Sequence, residues 1–179
     1  MRAVFCIFCL LACCCVNAIA SDNFTFRNVR WGMSVDEVKA SEEVPPVKDM
    51  AAAVGILMYS DYLLNKKADL TYMFDKSRRL ESAMYSVKSD DASKRSRENF
   101  DKYYKKVKET LIEKYGNSPA LGDKEVDSFK EVLVWMSGDT QIKLVLAIAE
   151  KIYVNVQYSS KASWKGTEKL HKEAAKQKL

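Results

Sequence analysis

The side chains that carry most enzyme chemistry are thinly spread in this chain. Its one histidine, His171, lies in a lysine-rich stretch near the C-terminal end. Ser-His-Asp and Cys-His sites need an imidazole held rigidly beside its nucleophile, and a terminal position among like charges does not supply that. All five cysteines, Cys6, Cys9, Cys13, Cys14 and Cys15, sit in one apolar run at the start. No His/Cys pattern with zinc-ligand spacing follows them. Asp90-Asp91 lacks the ordered oxygen spacing of a calcium loop and reads as helix-start chemistry. The six glycines are scattered, so no phosphate-cradling loop is expected. No cofactor is therefore expected. Carboxylate pairs remain, because acid/base partners are often distant in sequence. The other candidates are tyrosines: Tyr59, Tyr62, Tyr85 and Tyr153 fall on strands and are expected to line a sheet face that binds a peptide or a glycan. The competing reading is half-buried strand tyrosine, which β-propensity favours.

The N-terminal run gives an address. Met1-Arg2 carries a positive charge, Ala3 to Val16 is apolar, and Ala18-Ile19-Ala20 has the small-x-small form of a cleavage site. This is the three-part pattern of a secretory signal peptide, with cleavage between Ala20 and Ser21. The run falls short of the roughly 20 apolar residues of a membrane span. In a competing reading, Leu10-Leu11-Ala12-Cys13 is a bacterial lipobox, and Cys13 is lipidated to give a membrane-anchored lipoprotein. Cleavage after Ala20 would leave no cysteine, and hence no disulfide framework or thiol site.

Charge separates the rest. Residues 21–160 carry 22 basic and 22 acidic side chains, whereas 161–179 carry six lysines against two glutamates. The expected organisation is a signal peptide over 1–20, a single domain over 21–160, and a basic, helical or mobile tail over 161–179. The tail can touch an anionic surface. A membrane is expected as a partner only through that tail or through lipidation at Cys13. Export argues against nucleic acid.

The elements that must position these residues follow from patterning. Phe24 and Phe26 alternate with Thr25 and Arg27 as in a half-buried strand, and Trp31 is the apolar anchor at its end. Gly32 permits a positive φ at the exit. Ser34 with Glu37 forms a capping box, flanked by Met33 and Val38 as a hydrophobic staple, so a helix is predicted over 35–41. Pro45-Pro46 ends it, and residues 49–54 read as one loose helical turn before Gly55. Strands are predicted over 56–64, 68–74 and 80–87, joined by turns at 65–67 and 75–78. Ser89-Asp90-Asp91 offers caps for a long helix whose apolar stripe is Phe100, Tyr103 or Tyr104, Val107, Leu111 and Tyr115, stopped by Gly116 and Pro119. After a polar connector over 121–128, further strands are predicted over 129–136, 142–148 and 152–158, with turns at 137–139 and 150–151.

Strands grouped without βαβ alternation define an α+β class. The expected architecture is an antiparallel sheet of two three-strand meanders, each preceded by a helix, with the helices packed on one face. The stretch Phe26-Arg27-Asn28-Val29-Arg30-Trp31-Gly32-Met33-Ser34, with Glu37-Val38, resembles the opening of a loose group of small exported bacterial proteins. In that group an F-x-x-V-x-W-G-x-S motif follows the signal peptide, and a helix ends in Tyr-Gly, as at Tyr115-Gly116 here. Where the group often has glycine this chain has Asn28, which tolerates a left-handed conformation. The group is largely uncharacterised, so the resemblance implies no catalytic residues. The element order is also similar to small periplasmic inhibitor and assembly-factor domains, at fold level only. The functional expectation is an exported, non-catalytic cell-envelope protein that binds another protein or an envelope component. The alternatives are a hydrolase using a carboxylate pair and a lipid binder within the sheet–helix layer.

Overall fold

The computed structural model describes residues 26–118, 120–121 and 129–163. The signal-cleavage residues Ala20 and Ser21, the lipidation candidate Cys13, Phe24, the connector from 122 to 128 and the tail from 164 onward lie outside the described residues.

The chain forms an α+β fold. Helix α1 (Val35–Ser41) is followed by β1 (Lys48–Met50), α2 (Ala51–Val54), β2 (Ile56–Leu63), β3 (Lys66–Phe74) and β4 (Leu80–Lys88). The long helix α3 (Lys94–Tyr115) precedes β5 (Ala120–Leu121), β6 (Phe129–Ser137), β7 (Thr140–Ile148) and β8 (Ile152–Ser160). All eight strands lie in one antiparallel sheet, ordered β1-β2-β3-β4-β8-β7-β6-β5. The two meanders β2–β4 and β6–β8 thus join edge to edge through β4 and β8. Ser89 secures the seam: its N–H donates to Ile152 O at 2.9 Å and its Oγ accepts from Ile152 N at 2.8 Å.

One sheet face carries the core. Leu70, Tyr85, Val156, Leu144 and Leu133 are cross-strand partners in one row. Tyr72, Ala83, Tyr158, Ile142 and Trp135 form the next. Paired residues share a face. Over the β6–β8 half, α3 lays down Phe100, Tyr103, Tyr104, Val107 and Leu111. Over the β2–β4 half, Val38 of α1 and Ala51 of α2 join Phe26 and Val29. Met58, Met84, Gln157 and Lys143 belong to the opposite face.

Several expectations need correction. Phe26 to Val29 is a tight turn rather than a strand: the two residues bridge each other, with Phe26 N to Val29 O at 3.3 Å and Val29 N to Phe26 O at 3.0 Å. Arg27, not Asn28, takes the positive φ there, at 51°. Trp31 is half-buried, not a fully buried anchor. Its indole Nε1 donates to Thr140 Oγ1 at 2.9 Å. The first hairpin turns at Leu64-Asn65, both left-handed, one residue earlier than expected. Part of the expected helical turn at 49–54 is the edge strand β1, which pairs with β2. The cap of α3 is Ser93, whose Oγ accepts from Ser96 N, while Asp91 braces it from outside.

The capping box at Ser34 forms as read: its N–H donates to Glu37 Oε2 at 2.7 Å and Glu37 N donates to Ser34 Oγ at 3.3 Å. This corner is stitched to the start of β4 by Gly32 N to Leu80 O and Leu80 N to Met33 O, both 2.8 Å. Tyr103 and Tyr104 are both buried, not one of the two. Gly55 sits at φ 71°, and a Cβ there would lie 2.8 Å from Phe74 O, so only glycine fits without a shift.

Candidate functional site

The four strand tyrosines do not form one face. Tyr59 is 2% exposed and belongs to the core, edge-on to Tyr72. Tyr85 is half-buried on the same core-bearing face. Tyr62, 67% exposed, and the half-buried Tyr153 lie on the opposite face, on strands separated by β3 and β4. The alternation that places Tyr59 inward places Tyr62 outward, because side chains reverse every residue.

What Tyr85 joins instead is a charged network anchored by Arg27. The turn at Phe26–Val29 aims the Arg27 guanidinium at three elements. Nη1 bonds Asp61 of β2 and donates to Tyr85 Oη of β4 at 2.9 Å, and Nη2 reaches Glu42, just after α1, at 3.3 Å. Tyr85 Oη also donates to Asp61 Oδ2 at 2.9 Å, and Tyr72 Oη donates to Glu42. Burial by itself lowers the Arg27 pKa, but the charges of Glu42 and Asp61, with the Tyr85 hydrogen bond, outweigh it and fix the positive charge. For Asp61, burial acts upward, and hydrogen bonds from the Tyr62 backbone and the Tyr85 hydroxyl, with the nearby Arg27 charge, bring the net shift below the usual carboxylate range. Burial, reinforced by Asp61, pushes the Tyr85 phenol up to about 12, so it stays a neutral donor.

Beside this network lies a cleft of about 810 Å³ on the core-bearing face. It opens between the N-terminal turn, the last turn of α3 and the β6–β7 turn at Gly138-Asp139. Its aromatic surface is Phe26, Tyr85, Tyr115 and Tyr158. The Phe26 ring lies 4.6 Å from that of Tyr158 and 5.6 Å from that of Tyr85, centroid to centroid. Burial, followed by its neighbours Tyr115 and Tyr85, raises the pKa of the Tyr158 phenol. Lys114 and Asp139 bring opposite charges to the lining, and Lys114 Nζ stands 5.2 Å from the Tyr115 ring centroid. Thr140 links the cleft to Trp31.

Why the cleft exists follows from α3. Its apolar stripe stays over the sheet from Phe100 to Leu111, and its next aromatic, Tyr115, is only half-buried. The helix then stops at Gly116, whose carbonyl accepts from Trp135 Nε1 at 2.8 Å. The final turn is thereby pinned to the sheet while Tyr115 faces the gap. Sequence patterning found Tyr115 as the end of the stripe and Tyr158 as a strand alternation, without bringing them together. Arg27 carries no sequence signal beyond its place in the opening motif.

Glu42 and Asp61, the carboxylates that share Arg27, do not line the cleft. Among the described residues, no group of three or more His, Cys, Asp and Glu could hold a metal ion. No described helix is long and apolar enough to cross a membrane.

No protein-family model matches the chain, and no curated protein matches it. Among solved structures, a DUF4309 family protein (YjgB) from Bacillus subtilis is similar, at 12% identity and a TM-score of 0.42, over 71% of this chain and 78% of that one.

Proposed function

We propose that this chain is an exported, non-catalytic cell-envelope protein whose cleft binds an envelope component. The observation that carries the binding role is the 810 Å³ opening between the α3 end and the N-terminal turn, surfaced by Tyr85, Tyr115 and Tyr158. Its size falls in the range typical of ligand pockets. Export rests on the charged, apolar and small-residue pattern of residues 1–20. The hydrolase alternative has less support, because the adjacent carboxylates Glu42 and Asp61 are both occupied by Arg27.

Two measurements test this reading. The N-terminus and mass of the mature protein should give a free Ser21; an acylated Cys13 would make it a tethered lipoprotein, and an intact Met1 would end the export claim. Chemical crosslinking in cells should trap an envelope partner. A protein that crosslinks to none, while turning over members of a small-molecule panel, would overturn the non-catalytic reading.

A further inference from the structure

Resting on the reading of the cleft as a binding site, we infer that its ligand is a neutral glycan segment. Charge is the first reason. Arg27 belongs to the lining, but its guanidinium is already shared by Asp61, Glu42 and Tyr85. Asp61 and Glu42 answer Arg27 from outside the lining and Asp139 offsets the charge of Lys114, so no surplus positive charge is left to hold a phosphate or a fatty-acid carboxylate.

Hydroxyl chemistry is the second reason. Tyr85, Tyr115, Tyr158, Ser137 and Thr140 all contribute to the lining. A hydroxyl both donates and accepts, as does every sugar hydroxyl, so these side chains suit a ligand that alternates the two roles at short spacing. Tyr85 and Thr140 already bond Asp61, Arg27 and Trp31. A sugar can add hydrogen bonds to the capacity left on the lining hydroxyls, whereas an acyl chain would cover that capacity and add none. The third reason is shape. The half-buried Tyr115 and Tyr158 rings, the latter backed by Phe26, provide flat apolar surface for the C–H faces of a pyranose, beside polar groups that orient its hydroxyls.

The test uses intrinsic fluorescence, because Trp31 is bonded to the cleft residue Thr140. The purified protein is titrated with triacetylchitotriose, with maltotriose and with palmitate. A saturable shift with either sugar is expected, weakened at least tenfold in Tyr115→Ala and unchanged in Tyr62→Ala, whose ring lies on the opposite face. Thermal melts of both variants verify that they fold. Sugar binding that survives Tyr115→Ala would place the glycan elsewhere and overturn the inference. Palmitate binding lost in Tyr115→Ala, with no response to either sugar, would overturn the glycan class and leave the cleft as a binding site. Silence from all three probes would overturn the glycan inference, and the absence of a crosslinked partner in cells would then remove the binding reading as well.

Discussion

Arg27 occupies a backbone conformation uncommon for a non-glycine residue, and its side chain accounts for why the chain keeps it there. One guanidinium answers a carboxylate after α1, a carboxylate on β2 and a phenol on β4. Glu42 is only 6% exposed at its side chain, so losing its cation would strand a desolvated charge. Arg27→Ala should therefore destabilise the protein by about 2–3 kcal/mol in urea unfolding, less than a fully buried pair because Arg27 is itself partly exposed. A loss within about 0.5 kcal/mol would mean the network is ornamental. Gly55→Ala should cost about 1–3 kcal/mol, since it combines a left-handed backbone with a Cβ driven onto the Phe74 carbonyl. Residue-scale legibility depended on distance along the chain. Ser34 and Glu37 are three apart and their reciprocal bonds were readable. The partners of Arg27 stand 15, 34 and 58 residues away, and no local pattern encodes them.

Elements show the same division. The α3 stripe, both meanders and the Asp75 turn were legible, because helix and strand periodicity and Asx chemistry act over a few residues. The Asp75 turn closes with Arg79 N to Asp75 Oδ1 at 2.8 Å. The β4–β8 pairing was not legible, since it joins strands more than sixty residues apart with no local signal to select it. The mistaken opening strand has a physical cause too: Phe26 and Val29 both point into the core, but through a two-residue turn rather than by alternation. Ser34→Ala should cost about 1 kcal/mol, the usual value of a lost N-cap. Read as a fully buried aromatic, Trp31→Ala would cost roughly 3–5 kcal/mol. The half-buried ring and single indole hydrogen bond lower the expectation to about 2 kcal/mol. An unchanged melting temperature in that variant would mean that Trp31 does not hold the corner to the β6–β7 hairpin.

At the scale of the whole molecule, the sheet face left between α3 and the N-terminal corner defines the cleft, and carboxylates spread over several elements set the acid response. Asp61, Asp49, Asp91 and Glu37 all titrate below their ordinary values, held there by their hydrogen-bond partners and neighbouring cations. A depressed folded-state pKa contributes stability above the unfolded value and loses it as pH falls through the folded one, so stability should decline below about pH 4. Glu81, raised by burial and by Asp75, contributes in the opposite sense. Asp61→Asn should flatten part of that acid limb in a pH series of urea midpoints; an unaltered limb would show that Asp61 does not drive it. The cleft was only half legible, because its tyrosines come from β4, α3 and β8 and converge only once the two meanders share a sheet. The most direct measurement of its role is photo-crosslinking in living cells from a benzoylphenylalanine placed at Tyr115, with Tyr62 as the comparison site. A ligand bound in the cleft predicts an envelope adduct from position 115 and none from 62. Adducts from 62 alone would contradict it and move the binding surface to the other face of the sheet.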